Sequence, residues 1–192
     1  MDNRPIGIMD SGVGGLTVAC VLKEKYPNEK FIFIGDTARN PYGNKSPEEV
    51  TFFAEEMKAF LAGKQVKMII AACNTITFSV PPSFFAGKIP VIGMSLDFPE
   101  LESVNHLAVI GTPMTIRSHR HRDRLKKDFP LMNVTEIPID GLAYAIEMGK
   151  EESFIYGMIN EAVQKAGAES VDAALLLSLI HISEPTRPEP IS

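Results

Sequence analysis

Short apolar, β-branched runs alternate along the chain with stretches whose apolar positions recur every three or four residues. The runs at 6–9, 31–34, 68–72 and 89–92 are apolar without strict alternation, the mark of strands covered on both faces. Between them lie helical patterns. The clearest begins at Ser46, with Pro47 at the first helical position and Glu49 completing a Ser-x-x-Glu capping box. Its apolar residues Val50, Phe53, Met57, Phe60 and Leu61 share one face, and Gly63 is expected to close it. A second series starts near His106, with strands expected at 107–110, 134–137 and 171–176 and helices at 115–127, 141–148 and 152–166. Strand–helix alternation of this kind predicts an α/β fold with parallel sheets and right-handed crossovers. The stretch Asp97-Phe98-Pro99-Glu100 divides the chain into two α/β units, 1–97 and 98–176.

The pattern changes at the end. Leu177-Ser178-Leu179-Ile180-His181-Ile182-Ser183-Glu184-Pro185-Thr186-Arg187 matches one reading frame of a common transposase sequencing adapter. Residues 177–192 are therefore expected to be a non-native, adapter-derived tail, with native sequence stopping at or near Leu176.

Composition narrows the function classes. The 192 residues suffice for one large core or two small ones, and a net charge of −5 supplies no basic field for nucleic acid or anionic membrane. No apolar run approaches the roughly 20 residues of a membrane span. Met1-Asp2-Asn3-Arg4-Pro5 leads directly into the first strand pattern and leaves no room for a signal peptide, so a cytoplasmic protein is expected. Cys20 and Cys73 stand far apart and do not suggest a disulfide framework. In Arg117-Ser118-His119-Arg120-His121-Arg122, two histidines at i and i+2 point to different helix faces, and no zinc-like ligand set accompanies them. Asp123 and Asp128 dilute the charge, so a solvated helix face is the preferred reading, with nucleic-acid binding through 117–127 as the weaker alternative.

Three loops that follow strands carry candidate chemistry, because loops at the carboxyl ends of a parallel sheet converge on ligands. The first is Asp10-Ser11-Gly12-Val13-Gly14-Gly15, whose glycines permit a tight turn with helix amides aimed at a carboxylate or a phosphate. Thr17 occupies the last glycine position of a dinucleotide fingerprint, so that reading is weak, and Asp10 and Ser11 as a plain N-cap pair remain an alternative. The second, Asp36-Thr37-Ala38-Arg39-Asn40-Pro41-Tyr42-Gly43, is a turn-rich loop able to clamp a small polar ligand, or simply an exposed loop. The third is Ala71-Ala72-Cys73-Asn74-Thr75. A thiol between a strand end and a helix N-terminus sits where the dipole favours thiolate, the form that a nucleophile or a carbon-acid base needs. Inert packing is the competing reading, and Cys20, inside the first helical pattern, is assigned no chemistry.

Taken together, these loops resemble the aspartate/glutamate racemase superfamily, and glutamate racemase within it. The matching stretches are 6–18, 35–43 and 72–75, supported by 90–93, 109–112 and Thr115-Ile116 ahead of Ser118. The resemblance implies two similar α/β domains with parallel sheets facing a central cleft that encloses glutamate, the second domain being incomplete here. It implies no cofactor and no metal. One cysteine removes the α-proton and a second, on the opposite face, returns a proton. Cys73 matches the first of that pair and Asp10 the carboxylate that assists it, while Ser11, Tyr42, Gly43, Asn74 and Thr75 match positions that hold the substrate. Asp10 belongs to that substrate-binding set as well.

The second cysteine of the family lies in a Gly-Cys-Thr-His motif after a strand resembling 171–176. Here Leu177, Ser178, Leu179 and Ile180 occupy those positions. The chain as written is therefore expected to be inactive. Smaller departures are Ser95-Leu96-Asp97, where the family usually has Ile-Glu-Pro, and His121, where an aromatic is common. The expected activity of the family is interconversion of L- and D-glutamate, supplying D-glutamate for peptidoglycan. A sister racemase acting on aspartate or another substrate, and a non-catalytic fragment, are the alternatives. Glutamate is the expected partner, without membrane or nucleic acid, and a homodimer is compatible with the sequence.

Overall fold

The computed structural model describes residues 2–98 and 101–177. The first unit is built on a parallel sheet of β1 (Ile6–Asp10), β2 (Phe31–Gly35), β3 (Met68–Ala71) and β4 (Val91–Ile92), in the order β2-β1-β3-β4. Ile6 pairs with Phe31 and Met68, and Asp10 with Gly35, so the carboxyl ends of β1, β2 and β3 finish level. That register brings the loops after Asp10, Gly35 and Ala71 to a single edge.

Helices α1 (Gly15–Lys25), α2 (Pro47–Gly63) and α3 (Asn74–Ser79) make the crossovers, and a 3-10 turn at Tyr42–Asn44 precedes α2. The Ser46/Glu49 capping box forms as expected: Ser46 Oγ accepts the Glu49 N–H at 3.2 Å, and Glu49 accepts the Ser46 N–H at 2.8 Å. Val50, Ala54, Met57 and Leu61 of α2 are buried against the sheet. Gly63 is the last helical residue rather than the stop; the chain turns left-handed two residues later, at Gln65. The expectation of uniformly covered strands holds for β1, while β2, on the sheet edge, is only half-buried.

The second unit carries β5 (His106–Gly111), β6 (Asn133–Pro138) and β7 (Ala173–Leu176) as a parallel sheet ordered β6-β5-β7. Its helices are α4 (Pro113–Arg117), α5 (Arg120–Asp128), α6 (Leu142–Glu147) and α7 (Glu152–Lys165). The single helix expected at 115–127 is in fact α4 and α5. The break falls at His119, which takes a left-handed conformation with φ of 53° after Ser118 Oγ bonds back to the Thr115 carbonyl. The expected boundary lies partly at residues 99 and 100, outside the described residues. The expected tail does too, except for Leu177, whose N–H continues the β7 ladder to the Ile110 carbonyl and whose side chain joins the core of the second unit.

The two units are joined along one side. Met114 of α4 is buried in the core of the first unit, and α4 rests on α3 and on the 3-10 turn. His121 does not lie on a solvated face as the sequence suggested. Its ring is buried, edge-on to Phe78 of the first unit at 4.6 Å and tilted against Phe98 at 6.3 Å. The other histidine of that cluster, His119, instead pairs with Glu136 at 2.6 Å. Among the described residues, no helix is long and apolar enough to cross a membrane, and no cluster of side chains could hold a metal.

Burial pulls the pKa of His121 down to about 4. The unfolded chain binds this proton near pH 6.5, and the folded protein only near pH 4. This contribution to stability is therefore complete above about pH 6.5 and lost as the pH falls toward 4. His121→Phe, which preserves the aromatic packing, is expected to show a smaller loss of urea midpoint between pH 7 and pH 4.5 than the parent. An equal loss in both proteins would contradict this.

Candidate active site

The level strand tips give the cleft its floor. Asp10 ends β1, and its Oδ2 accepts the backbone N–H groups of Gly12 at 3.2 Å and Gly15 at 3.1 Å. The carboxylate therefore organises the turn ahead of α1, whose N-cap is Gly14 rather than the Asp10/Ser11 pair, and it also lines the cleft. Cys73 lies at the junction of β3 and α3. Its Sγ accepts the Ile76 N–H at 3.4 Å, capping α3, and stands 3.3 Å from Ser11 Oγ.

The cleft encloses about 190 Å³ and is lined by both units. That is below the roughly 300–1,000 Å³ of sites for drug-sized ligands and suits a small metabolite. Asp10, Ser11, Tyr42, Cys73, Asn74 and Thr75 all line it, so the structure gathers six of the seven residues singled out from sequence. Gly43 stands behind the lining instead. A Cβ there would come within 2.8 Å of the Thr112 side chain, so glycine lets the 3-10 turn lie directly against the second unit.

Tyr42 enters differently from what its side chain suggests. Its hydroxyl donates to Asp36 Oδ2 at 2.5 Å, and Arg39 Nε donates to the same oxygen at 2.6 Å. Burial and the Asp36 carboxylate hold the Tyr42 phenol far above its ordinary pKa, so it stays a neutral donor. What remains for a ligand is the backbone at the start of the turn, where the first N–H groups have no partner within the turn itself.

The second unit contributes residues that sequence reasoning did not single out. Thr112 caps α4, and its hydroxyl forms a triangle with those of Thr75 and Thr115, at 3.1 Å, 3.2 Å and 3.0 Å. Asn74 Nδ2 donates to the Leu177 carbonyl at 3.2 Å. Glu147, at the end of α6, reaches across to accept the Val13 N–H at 3.0 Å and a hydrogen bond from Asn40. Thr112 sits directly after a strand and offered a positional signal. Glu147 offered none, being the single acid at the end of a short, mostly apolar helix with no motif around it.

No family model matches the chain. Among curated proteins, the glutamate racemase of Lactobacillus johnsonii is 37% identical over 182 residues, which is 92% of this chain and 68% of that protein. The chain belongs to the glutamate racemase family. The glutamate racemase of Streptococcus thermophilus is 39% identical over 160 residues, 81% of this chain, and only 59% of its own length is matched. Of solved structures, the glutamate racemase from Francisella tularensis in complex with D-glutamate superposes with a TM-score of 0.79 at 35% identity. That match covers 93% of this chain and 70% of that one. An aspartate racemase from Picrophilus torridus, at 14% identity and a TM-score of 0.60, shares the fold.

For a member of the glutamate racemase family, the state of Cys73 corrects one expectation. The helix dipole does not deliver a thiolate. Burial, reinforced by the Asp10 charge, pushes the thiol up to about 12, against the weaker help of Ser11 and the Ile76 N–H. Helix α3 has only six residues, and the thiol at its start is buried, so desolvation wins. Asp10 is itself held above its ordinary value by burial, opposed by the Gly15 and Gly12 N–H groups. Cys20, read as packed inside α1, is exposed, because Gly15 is the only fully buried residue of that helix.

Cys73 is therefore expected to alkylate far more slowly than Cys20 at pH 8, and to gain rate as the pH rises toward 12. Asp10→Asn removes the adjacent charge and should raise the Cys73 rate at a fixed pH. Peptide mass spectrometry after iodoacetamide measures both, and an Asp10→Asn rate at or below the parent rate would contradict the assignment of causes.

Proposed function

We propose that this chain carries one half of a cofactor-independent glutamate racemase site, in which Cys73 exchanges a proton with the α-carbon of glutamate. The carrying observation is a buried thiol at a strand tip, 3.3 Å from Ser11 Oγ and beside the Asp10 carboxylate, within a cleft walled by two α/β units. Membership of the glutamate racemase family supports glutamate as the substrate, and the F. tularensis relative is itself named as a complex with D-glutamate.

Ionising Cys73 in place costs roughly 4 kcal/mol more than in water, since each unit of pKa corresponds to about 1.4 kcal/mol. A substrate ammonium about 4 Å away, at an effective dielectric of about 20, offsets about 4 kcal/mol. The substrate thus returns the thiol to about its ordinary acidity on arrival. Asp10 and Ser11 orient that ammonium, and Asp10 assists the proton transfer. Asn74, Thr75 and the turn at Tyr42 and Gly43 hold the carboxylates through amides and hydroxyls in a water-poor cleft.

Inverting the α-carbon requires a second proton carrier on the opposite face. Ser178 stands where the family has its second cysteine, and a serine hydroxyl is far too weak an acid to replace a thiol. The chain as written is accordingly inactive as a racemase, with units at 1–97 and 98–176 and an adapter-derived segment at 177–192. The chain spans 59% to 68% of the length of the relatives named above. In the intact protein the product is D-glutamate for peptidoglycan, made in the cytoplasm; a homodimer is compatible, and nucleic acid is not a partner.

The test follows each glutamate enantiomer in heavy water by proton NMR. A single thiol should exchange the α-hydrogen of one enantiomer with retention, with no inversion, and Cys73→Ala should abolish the exchange. Racemisation by this chain, or exchange that survives Cys73→Ala, would sink the proposal.

A further inference from the structure

Two different kinds of contact join the units, and they lie on different walls of the cleft. Along one wall the join is broad and largely apolar: Met114 is buried in the first unit's core and Phe78 packs on His121, with the Thr75 hydroxyl bonded to those of Thr112 and Thr115 beside them. At the glycine-rich loop the join is narrow and polar, made by one side chain. Glu147 of α6 accepts the Val13 N–H through Oε1 and the Asn40 side-chain amide through Oε2. The approach is so close that a Cβ on Gly12 would meet Glu147 Oε1 at 1.9 Å. A side chain at position 12 would therefore displace the tip of Glu147, a residue 135 places further along the chain.

We propose that Glu147 is a clasp across the mouth of the cleft, a positioning residue that holds the second unit closed over Cys73. An apolar seat such as that of Met114 does not separate without exposing a core, whereas two hydrogen bonds at a partly exposed carboxylate break and re-form readily. Opening therefore hinges on the α4 side and begins at Glu147. Both acceptor oxygens are matched to donors that belong to the loops flanking the proposed half-site, at Val13 and Asn40, so releasing the carboxylate frees both loops at once. Burial raises the Glu147 pKa against the pull of the Val13 N–H, as befits a carboxylate held in a closed mouth. The clasp relies on the proposed proton transfer only for its purpose; the contact and its effect on access stand without it.

Access is measurable in this chain, because exposed Cys20 is a built-in reference for buried Cys73. The experiment is the ratio of Cys73 to Cys20 alkylation by iodoacetamide at one fixed pH, read by peptide mass spectrometry, with the unfolding midpoint recorded for each variant. Glu147→Ala should raise the ratio on the order of tenfold, the effect of losing a charge-assisted hydrogen bond from the closed state. Asn40→Asp, which sets two carboxylates against each other, should raise it at least as far. The exchange Asn40→Asp with Glu147→Gln restores one donor and one acceptor and should bring the ratio back toward the parent value. A general loss of packing would not be rescued by that swap. An unchanged ratio in either folded single variant, or a double variant no closer to the parent than Asn40→Asp, would overturn the clasp. Since nothing here reads turnover or glutamate binding, failure of the proposed function would leave this result standing, and the reverse is equally true.

Discussion

The cleft is organised around the exclusion of water from two acidic side chains set side by side, Cys73 and Asp10. Both are buried; the Asp10 charge raises the cost of ionising Cys73, whereas Cys73 favours the Asp10 carboxylate. In water such a pair would be an ordinary thiol and an ordinary carboxylate. Here the carboxylate is steadied by the N–H groups of Gly12 and Gly15, while the thiol receives only Ser11 and the Ile76 N–H. This imbalance keeps the thiol protonated. A positive charge brought beside it would lower its pKa.

That burial is a product of assembly between the units. The first sheet supplies a level edge, and the second unit supplies the opposing wall. Thr112 and Thr115 complete the hydroxyl triangle with Thr75, and the Leu177 carbonyl receives Asn74. The same interface explains otherwise arbitrary residues. Gly43 is small because Thr112 lies against it, and His121 is neutral because Phe78 and Phe98 enclose it. Side chains that look like local features are answers to constraints set from the far side of the cleft.

Much of this was legible in the amino-acid sequence, for a physical reason. The apolar runs, the Ser46–Glu49 capping box and the turn residues act over a few positions, so strands, helices and the loops at strand ends could be read directly. The motifs around Asp10, Asn40 and Cys73 follow consecutive strands of one parallel sheet, whose register must bring their ends together. The family resemblance carried by those motifs is upheld by relatives at 37% and 39% identity.

Tertiary structure alone decided everything that depends on distance in the chain. It broke the helix expected at 115–127 at His119 and turned His121 inward. It also turned the Tyr42 hydroxyl away to Asp36 and brought Glu147 onto Val13. Above all, it set the Cys73 thiol at about 12. Local pattern specifies which groups stand at a strand tip, because that is a matter of backbone geometry. Their acidity is set by how much water and charge the rest of the fold leaves around them, and no local stretch of residues encodes that.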